Sequence, residues 1–340
     1  MENYKKYEFE LLGSKIFILL PQDSSKKIVE KCYEECLRID DWYSRFKEHN
    51  TLSLLNDNLN QWQEIDEELL YLFSKAKEFE ESTNGAFTLH TKTTLEKWGY
   101  DSNYNLEKLD DEYELIEDIE KRETLKNQKK AQNSKKSSFL QKILGKNSKN
   151  NSKQDKEMES FELDIENSSV LLNAPIEFGG LGKGYALDKM IEICREEKLN
   201  NFLINAGGDL YAKSTNKMGF EIYLEDPENT KQSIGTINVD NFALASTSAN
   251  RRKWKSVHHI IDPNNNRPAN NMLASYVKAN SGIDADAYAT ALFVLGFEKA
   301  QEVISKLQIE ALIISKNNQI WKTKNFKCKL YKNSKYLIIN

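Results

Sequence analysis

The chain of 340 residues is 39% hydrophobic and 29% charged, and its formal net charge is −4. This length fits one large domain or two ordinary ones, and so small a charge excess excludes a generally basic nucleic-acid binder. No run is apolar enough to span a bilayer, and residues 1–8 lack the basic and apolar regions of a secretory signal. We therefore expect a cytoplasmic protein with no nucleic-acid partner and no membrane span.

The four cysteines are too sparse for a disulfide scaffold in a chain of this length. Cys32 and Cys36 lie four residues apart in a helical pattern, but no second Cys or His pair is near enough to suggest zinc. We expect small buried hydrophobic side chains at the cysteine positions.

The first hundred residues predict one strand and two helices. The strand, over residues 7–20, is interrupted by a Gly-Ser bend. Apolar side chains at helical spacing predict the helices over residues 25–42 and 66–81.

Residues 105–160 differ from the rest of the chain because they are dense in Lys, Glu, Asn, Ser and Gln. Such a composition buries too little apolar surface to offset the entropy lost on ordering. We predict a flexible, polar insertion between an N-terminal part, residues 1–104, and the remainder, residues 161–340. A spacer is favoured over a segment that contacts an acidic partner.

Strands and helices alternate irregularly after the insertion. Helices are predicted after Gly184 and from about Ala285 to Leu307. Because no regular βαβ unit repeats, the pattern indicates an α+β fold rather than a doubly wound sheet. The strands are predicted at residues 169–172, 202–204, 219–224, 234–247, 273–279, 311–314 and 335–339.

A glycine-rich segment, residues 177–184, lies between a predicted strand and a predicted helix. Glycines let the backbone approach a ligand closely, a helix N-terminus favours anions, and Lys183 adds a positive charge. The segment is not a P-loop, because Glu177 stands where that motif needs glycine. It is not a dinucleotide fingerprint either, because Tyr185 stands at another required glycine. An anion-binding turn and a plain tight turn both stay open.

A second glycine pair lies in residues 205–209, Asn-Ala-Gly-Gly-Asp, directly after a predicted strand. Paired glycines free the backbone for positive φ, and Asp209 is suited to cap or hydrogen-bond such a turn. A structural turn is the favoured interpretation.

Two of the four histidines, His258 and His259, follow a run of hydroxyl side chains and two arginines. Histidine exchanges protons near neutral pH, and arginine pairs with phosphate oxygens. A His-His metal site is disfavoured because no carboxylates accompany the pair at metal-site spacing. An ordinary surface loop is the other alternative.

A carboxylate and a hydroxyl lie four residues apart near the start of the predicted C-terminal helix. Asp286 and Thr290 would project from one helical face, and such hard oxygen ligands suit Mg²⁺ rather than zinc. The alternative is that Asp284 or Asp286 caps the helix and favours its dipole.

Taken together and in this order, the motifs resemble the ApbE family of FAD:protein FMN transferases. The resemblance runs from about Leu11 to Ile320, without the insertion. It implies a T-fold-like α+β domain with mixed, largely antiparallel sheets and packed helices. The segments that carry it are residues 40–56, 85–87, 98–100, 179–188, 206–209, 247–248, 259–263 and 286–296.

The resemblance implies an activity that uses FAD and Mg²⁺. A Thr or Ser hydroxyl of an acceptor flavoprotein attacks the FMN phosphorus of bound FAD, AMP leaves, and FMN stays attached through a phosphoester. Some members of the family instead hydrolyse FAD to FMN and AMP, which is one alternative. A non-catalytic FAD-binding module is another, and a homodimer stays open.

The resemblance also implies roles for individual residues. Asp286 and Thr290 would be metal ligands, with the backbone carbonyl of Gly180 as a third. His259 would lie at the reacting centre and take the proton of the incoming hydroxyl, while Lys183 would add positive charge there. The residues expected on FAD are Leu12, Phe46, Ala86, Phe87, Thr88, Glu177, Lys183 and Ile261.

Some positions depart from the family's pattern. Thr88 stands where the family has a carboxylate, so a carboxylate expected near the flavin is absent. Phe46 replaces a common tyrosine, and Glu177 is one methylene longer than the usual aspartate. Asn266 replaces a turn glycine, which we expect to be a mild change because asparagine tolerates the left-handed region.

Overall fold

The computed structural model describes residues 4–100, 160–216, 218–250, 253–254, 257–332 and 335–339. The predicted insertion, residues 105–160, lies outside these ranges except for Ser160, and so do Arg251 and Arg252. The division of the chain into residues 1–104, 105–160 and 161–340 stays a prediction.

The chain begins with a hairpin rather than with the single interrupted strand that we predicted. Leu12 and Gly13 both have positive φ, 56° and 60°. They join strands β1 (Tyr4–Leu11) and β2 (Ser14–Pro21) in the two-residue turn that suits the twist of paired strands. The elements that follow are α1 (Lys26–Tyr43), α2 (Thr51–Asp57), β3 (Trp62–Glu64), α3 (Glu67–Ser82) and α4 (Lys92–Lys97).

The part of the chain after residue 159 contains the remaining sixteen strands and three helices that the structure describes. They are β4 (Phe161–Asp164), β5 (Ser169–Leu172), α5 (Gly182–Glu196), β6 (Phe202–Ala206), β7 (Asp209–Lys213), β8 (Phe220–Asp226), β9 (Asn229–Val239), β10 (Phe242–Ser248), β11 (Lys253–Trp254), β12 (Val257–His258), β13 (Ile261–Asp262), β14 (Arg267–Pro268), β15 (Ala274–Ala279), α6 (Gly282–Leu295), α7 (Phe297–Leu307), β16 (Glu310–Ile314), β17 (Gln319–Lys322), β18 (Cys328–Leu330) and β19 (Leu337–Ile338).

Two predicted elements of this part are in fact pairs. The predicted strand over residues 234–247 is β9 and β10, because Asn241 turns at φ 58° and donates its N–H to the carbonyl of Ala212, 2.7 Å away. The predicted helix over residues 285–307 is α6 and α7, which are separated by Gly296 at φ 78°. Only two residues of the predicted last strand are extended and paired, as β19.

A large sheet organises the described part of the chain, in the order β1-β2-β6-β7-β10-β15-β16-β17-β19. Its neighbours pair antiparallel except for β17 and β19. Two further sheets have the orders β18-β9-β8 and β3-β5-β4. Because β2 pairs with β6, segments from both sides of the predicted insertion share one sheet. The predicted α+β fold with largely antiparallel sheets is confirmed.

Both faces of the large sheet are covered. Alternate residues of a strand point to opposite faces, so Ile204 packs in a core with α1, α3, α5 and α6. Its neighbour Leu203 packs in a second core with β8, β9 and β18. Cys32, Cys36 and Cys194 are buried in the helical core, as predicted, whereas Cys328 of β18 is only partly buried against the second core. Within the described ranges, no helix is both long and apolar enough to cross a membrane.

Candidate functional site

Every residue that the sequence analysis assigned to the site lines one cavity of about 630 Å³. This volume falls within the roughly 300–1,000 Å³ of typical small-molecule sites. Positions almost 280 residues apart in the chain are therefore brought together, although their individual roles stay predictions. The assigned residues are Leu12, Phe46, Ala86, Phe87, Thr88, Glu177, Gly180, Lys183, His259, Ile261, Asp286 and Thr290.

Two tight turns meet at the edge of this cavity. Gly207 and Gly208, at φ 70° and 115°, join β6 to β7, so the predicted turn is confirmed, but it also lines the cavity and is not only structural. The N–H of Gly207 donates to the carbonyl of Lys15, and a Cβ there would lie 2.6 Å from Ser14 Oγ. Only glycine therefore fits between the two hairpins. The turn makes Asp209 the first residue of β7 and places it on the cavity wall.

Helices α5 and α6 cross where each has a glycine. A Cβ on Gly184 would lie 2.6 Å from the carbonyl oxygen of Gly282, so their backbones touch at this point. Asp188 of α5 strengthens the crossing, since its carboxylate accepts the N–H of Gly282 at 2.5 Å and of Ile283 at 2.9 Å. The crossing brings the first turns of the two helices to the same side of the cavity.

Neither Asp284 nor Asp286 is the N-cap of α6, so that part of the alternative is wrong, although Asp284 lies in the first turn, where a negative charge favours the helix dipole. The cap is Ser281, whose hydroxyl accepts the N–H of Asp284 at 3.2 Å, and Asp188 supplies the further acceptors. Asp284 instead pairs with Lys75 at 2.8 Å. Asp286 is thereby left to face the cavity.

A buried charge cluster lies beside the helix crossing. The Nζ of Lys183 is 2.7 Å from Asp209 Oδ2 and 2.9 and 3.1 Å from the two carboxylate oxygens of Asp286. Both carboxylate side chains are only 4% exposed, and Asp286 also accepts the N–H of Gly184 at 3.1 Å. The cluster holds two acids against one base, and so it carries excess negative charge.

The charge balance changes how these groups titrate. Burial and, after it, the charge of Asp209 raise the pKa of Asp286, Lys183 and the N–H of Gly184 oppose them, and the net result is a pKa of about 6. Burial alone would lower the pKa of Lys183, but the two carboxylates outweigh it and hold that pKa above its usual value.

The oxygen atoms around this cluster suit a hard divalent cation. Thr290 follows Asp286 by one helical turn, and its Oγ1 lies 3.5 Å from Thr247 Oγ1. Among the described residues, no group of three or more His, Cys, Asp or Glu could form a cage for a metal. Mg²⁺ does not need one, because it usually takes one or two carboxylates together with water and substrate phosphate. The excess negative charge and the oxygen donors therefore fit such an ion.

Glu177 holds the glycine-rich turn in place. Its two carboxylate oxygens accept hydrogen bonds from Thr91 Oγ1 at 2.7 Å and from the N–H of Gly179 at 3.0 Å. The guanidinium of Arg45 lies 4.0 Å from the same carboxylate. A Cβ at Gly179 would lie 2.4 Å from a carboxylate oxygen of Glu177, so a larger residue there would push this side chain away from its hydrogen bond.

An arginine between two aromatic rings forms another wall of the cavity. The guanidinium of Arg45 lies 4.4 Å from the ring centre of Phe46 and 4.5 Å from that of Tyr100, and it donates to the carbonyl of Tyr100 at 2.7 Å. The His259 ring is 6.5 Å from the Tyr100 ring. This wall combines apolar ring faces with one fixed positive charge.

Backbone contacts fix the loop that carries His259. The buried neighbour His258 has its Nε2 2.8 Å from the carbonyl of Ala269, and its Nδ1 accepts the N–H of Ile260 at 3.2 Å. Both ring nitrogens of His258 therefore have backbone partners, which argues against a His-His metal site. Asn266 takes φ 56°, so the expectation that it adopts the left-handed region is confirmed.

Thr88, which stands where the family has a carboxylate, lies next to the carboxylate of a residue on another element. Thr88 Oγ1 donates to Glu80 Oε1 of α3 at 3.2 Å, and Ser160 Oγ donates to the same carboxylate at 3.3 and 3.4 Å. Position 88 has no acidic side chain of its own, but the carboxylate of Glu80 lies beside it, which a comparison of motifs alone does not reveal.

Several cavity residues were missed by sequence reasoning. Asp209 was assigned to a turn, and Arg45, Tyr100 and Thr247 lay inside matched segments without an assigned role. For Asp209 the sequence did contain a signal, because this acid directly follows a Gly-Gly pair at the end of a buried strand.

The fold and the site define a class: an α+β protein whose antiparallel sheet and crossed helices enclose a cavity with a buried Lys–Asp–Asp cluster and hydroxyl groups. The family model described as "ApbE family" matches residues 12–313. The chain therefore belongs to the ApbE family.

Curated relatives share this family but match over a limited length. The "FAD:protein FMN transferase" of Salmonella typhimurium is 30% identical over 156 residues, which cover 44% of this chain and 45% of the relative. The protein of the same name from Escherichia coli K12 is 29% identical over 156 residues, 44% of each chain. The match spans less than half the length of these relatives.

Solved structures match over nearly the whole chain. The ApbE protein of Thermotoga maritima superposes with a TM-score of 0.73 at 24% identity, covering 95% of this chain and 98% of the other. The flavin transferase ApbE of Vibrio cholerae gives a TM-score of 0.71 at 18% identity and covers 95% and 99%. These likenesses show that the fold is that of ApbE proteins.

Proposed function

We propose that this protein transfers the FMN moiety of FAD to a Thr or Ser hydroxyl of an acceptor flavoprotein in a reaction that depends on Mg²⁺. Membership of the ApbE family and the name of its curated relatives support FAD as the substrate and flavin transfer as the reaction. The observation that carries the proposal is the cluster of Lys183, Asp209 and Asp286 on the cavity wall. The cytoplasmic location and the homodimer stay predictions.

The flavin ring and the pyrophosphate of FAD need different surroundings, and the cavity offers a suitable wall for each. Apolar side chains such as Leu12, Phe87 and Ile261 suit the flavin ring. Lys183 and the N-terminal turn of α5 suit the pyrophosphate, because lysine and helix N-termini favour anions, whereas the excess negative charge of Asp209 and Asp286 calls for a cation between them and the phosphates. Glu177 contributes indirectly, since it fixes the glycine turn that leads into α5.

Asp286, Thr290 and the carbonyl of Gly180 are the groups that would hold Mg²⁺. When bound, such an ion neutralises phosphoryl oxygens and the charge that develops on the leaving phosphate. The structure offers few protein ligands, which accords with an ion that completes its coordination from substrate and water.

The chain's own residues would handle the proton and the remaining charge. The acceptor hydroxyl oxygen forms a bond to the FMN phosphorus, and the bond from that phosphorus to the bridging oxygen breaks, so that AMP leaves with the oxygen. His259 takes the hydroxyl proton, a contribution of about 10²–10⁴-fold in rate. Lys183 offsets the negative charge on the phosphates.

The test mixes the protein with FAD, Mg²⁺ and a candidate acceptor flavoprotein, and it measures AMP release and flavin fluorescence of the acceptor on a denaturing gel. The proposal predicts AMP and labelled acceptor in equal amounts, and the loss of both on chelation of Mg²⁺. AMP without labelled acceptor would indicate FAD hydrolysis. FAD binding with neither product would indicate a binding module.

A further inference from the structure

Lys183 bridges two acids that belong to different parts of the fold. Asp209 begins β7 and is fixed by the glycine turn, while Asp286 lies on α6. The ammonium is 2.7 Å from the first and 2.9 Å from the second. Lysine has a flexible four-carbon stem, so the ammonium can shift between two nearby carboxylates without backbone movement.

The carboxylate that would hold a metal is already occupied. Both oxygens of Asp286 lie within 3.1 Å of the Lys183 ammonium, and Oδ2 also accepts the N–H of Gly184. A divalent cation on Asp286 would stand a few ångströms from this positive charge, and in a buried site such like charges repel strongly. The cation and the ammonium therefore compete for one carboxylate.

We propose that Lys183 is the counter-ion of Asp286 in the metal-free protein and that Asp209 retains the ammonium when a divalent cation displaces it. Asp209 is then a positioning residue that acts through Lys183. The inference rests on the proposed function because it takes Asp286 as a metal ligand. It explains why two acids are buried against one base: the second acid becomes the partner of Lys183 once the first binds the cation.

The test measures Mn²⁺ affinity by electron paramagnetic resonance, without flavin and at fixed pH and ionic strength. We expect Lys183→Met to bind Mn²⁺ at least about tenfold more tightly than wild type, because the competing charge is gone. We expect Asp209→Asn to bind it at least about tenfold more weakly, because the ammonium then has only Asp286 as its partner.

The double variant separates this inference from a general charge effect. In the Lys183→Met background, Asp209→Asn should weaken Mn²⁺ binding less than about threefold, because there is no ammonium left to retain. The same fold-loss in both backgrounds would overturn the inference, as would weaker binding by Lys183→Met alone. Lys189→Met is the matched control, since Lys189 lies on α5 and pairs with Glu192 at the surface.

A second measurement covers the case in which Lys183→Met does not fold. Wild-type crystals with and without Mn²⁺ should show the Lys183 ammonium leaving Asp286 and staying within hydrogen-bonding distance of Asp209. An ammonium that stays on Asp286 beside the bound ion would overturn the inference.

The proposed function can fail separately. If Asp286→Asn binds Mn²⁺ as tightly as wild type, the metal assignment is wrong and the inference falls with it. If Mn²⁺ binding depends on Asp286 but the effects of Lys183→Met and Asp209→Asn on Mn²⁺ affinity are additive, only the inference is overturned. A lack of flavin transfer leaves the Mn²⁺ results unchanged, because no flavin is present.

Discussion

His259 is the residue whose loss should separate chemistry from binding. We expect His259→Asn to slow flavin transfer by about 10²–10⁴-fold, because the acceptor hydroxyl loses the base that removes its proton. FAD affinity, measured by quenching of flavin fluorescence, should change little. His49→Asn is the matched control, because His49 is exposed and does not line the cavity. A full transfer rate with intact FAD binding would show that His259 is not the base.

Replacing Asp286 should reduce activity far more than replacing Asp284, the neighbouring acid of the same helix. We expect Asp286→Asn to lower the rate of AMP release by at least about 100-fold at saturating Mg²⁺, because the carboxylate that would hold the cation against the phosphates is lost. Asp284→Asn should stay within a few fold, since Asp284 faces Lys75 outside the cavity. Equal effects of the two substitutions would refute the assignment of Asp286.

Individual site residues could be predicted from the sequence where their role follows from the spacing of neighbouring residues. Asp286 and Thr290 stand one helical turn apart, and Lys183 follows glycines at a helix start, so all three were assigned to the site from the sequence, and all three line the cavity. Asp209 was not, because its contact with Lys183 spans 26 residues and depends on how β7 lies against α5. Residue types alone do not predict such a tertiary contact.

The contact between α5 and α6 should tolerate no side chain at its centre. We expect Gly184→Ala to lower the free energy of unfolding in urea by about 1–3 kcal/mol, because the new Cβ would lie 2.6 Å from the backbone oxygen of Gly282. Gly182→Ala is the matched control, since a Cβ there meets nothing within 4 Å and alanine favours a helix. Equal stability of the two variants would contradict the close crossing.

A carboxylate ties three helices together and should give the stability a pH dependence. Glu68 of α3 accepts two hydrogen bonds from Arg38 of α1 at 2.8 Å and one from Tyr185 of α5 at 2.7 Å. Burial alone would raise the pKa of Glu68, but the hydrogen bonds from Arg38 and Tyr185 outweigh it and lower this pKa below its ordinary 4.5.

Because the folded-state pKa of Glu68 lies below the unfolded one, its stabilising contribution is fully present above pH 4.5 and is lost as the pH falls through the folded-state value. We expect Glu68→Gln to be less stable than wild type at pH 7, and this difference to shrink under acid conditions. Denaturant unfolding at several pH values measures it, with the exposed Glu67→Gln as control. A difference independent of pH would contradict this explanation.

Elements with strong periodicity were predicted nearly to the residue, whereas short breaks were missed. Helices α1 and α3 begin and end within one residue of their predicted bounds. The break at Asn241 was hidden by apolar residues on both sides, and it exists because the chain passes there from the sheet of β9 to the large sheet. A local pattern does not reveal a change of sheet.

For the whole molecule, fold class was predictable and topology was not. The absence of a repeating βαβ unit indicated α+β, and the antiparallel pairing agrees with it. The pairing of β2 with β6 joins residues about 190 positions apart, and composition says nothing about such partners. The resemblance to ApbE proteins supplied the expected architecture, and the structural likeness to them confirms it.

The most direct test of the proposed chemistry is a crystal structure of the wild-type protein with FAD and Mn²⁺ as a substitute for Mg²⁺. We predict an anomalous peak within bonding distance of an Asp286 oxygen and Thr290 Oγ1, in contact with the pyrophosphate of FAD bound in the cavity. A peak elsewhere, or FAD bound outside this cavity, would contradict the proposal.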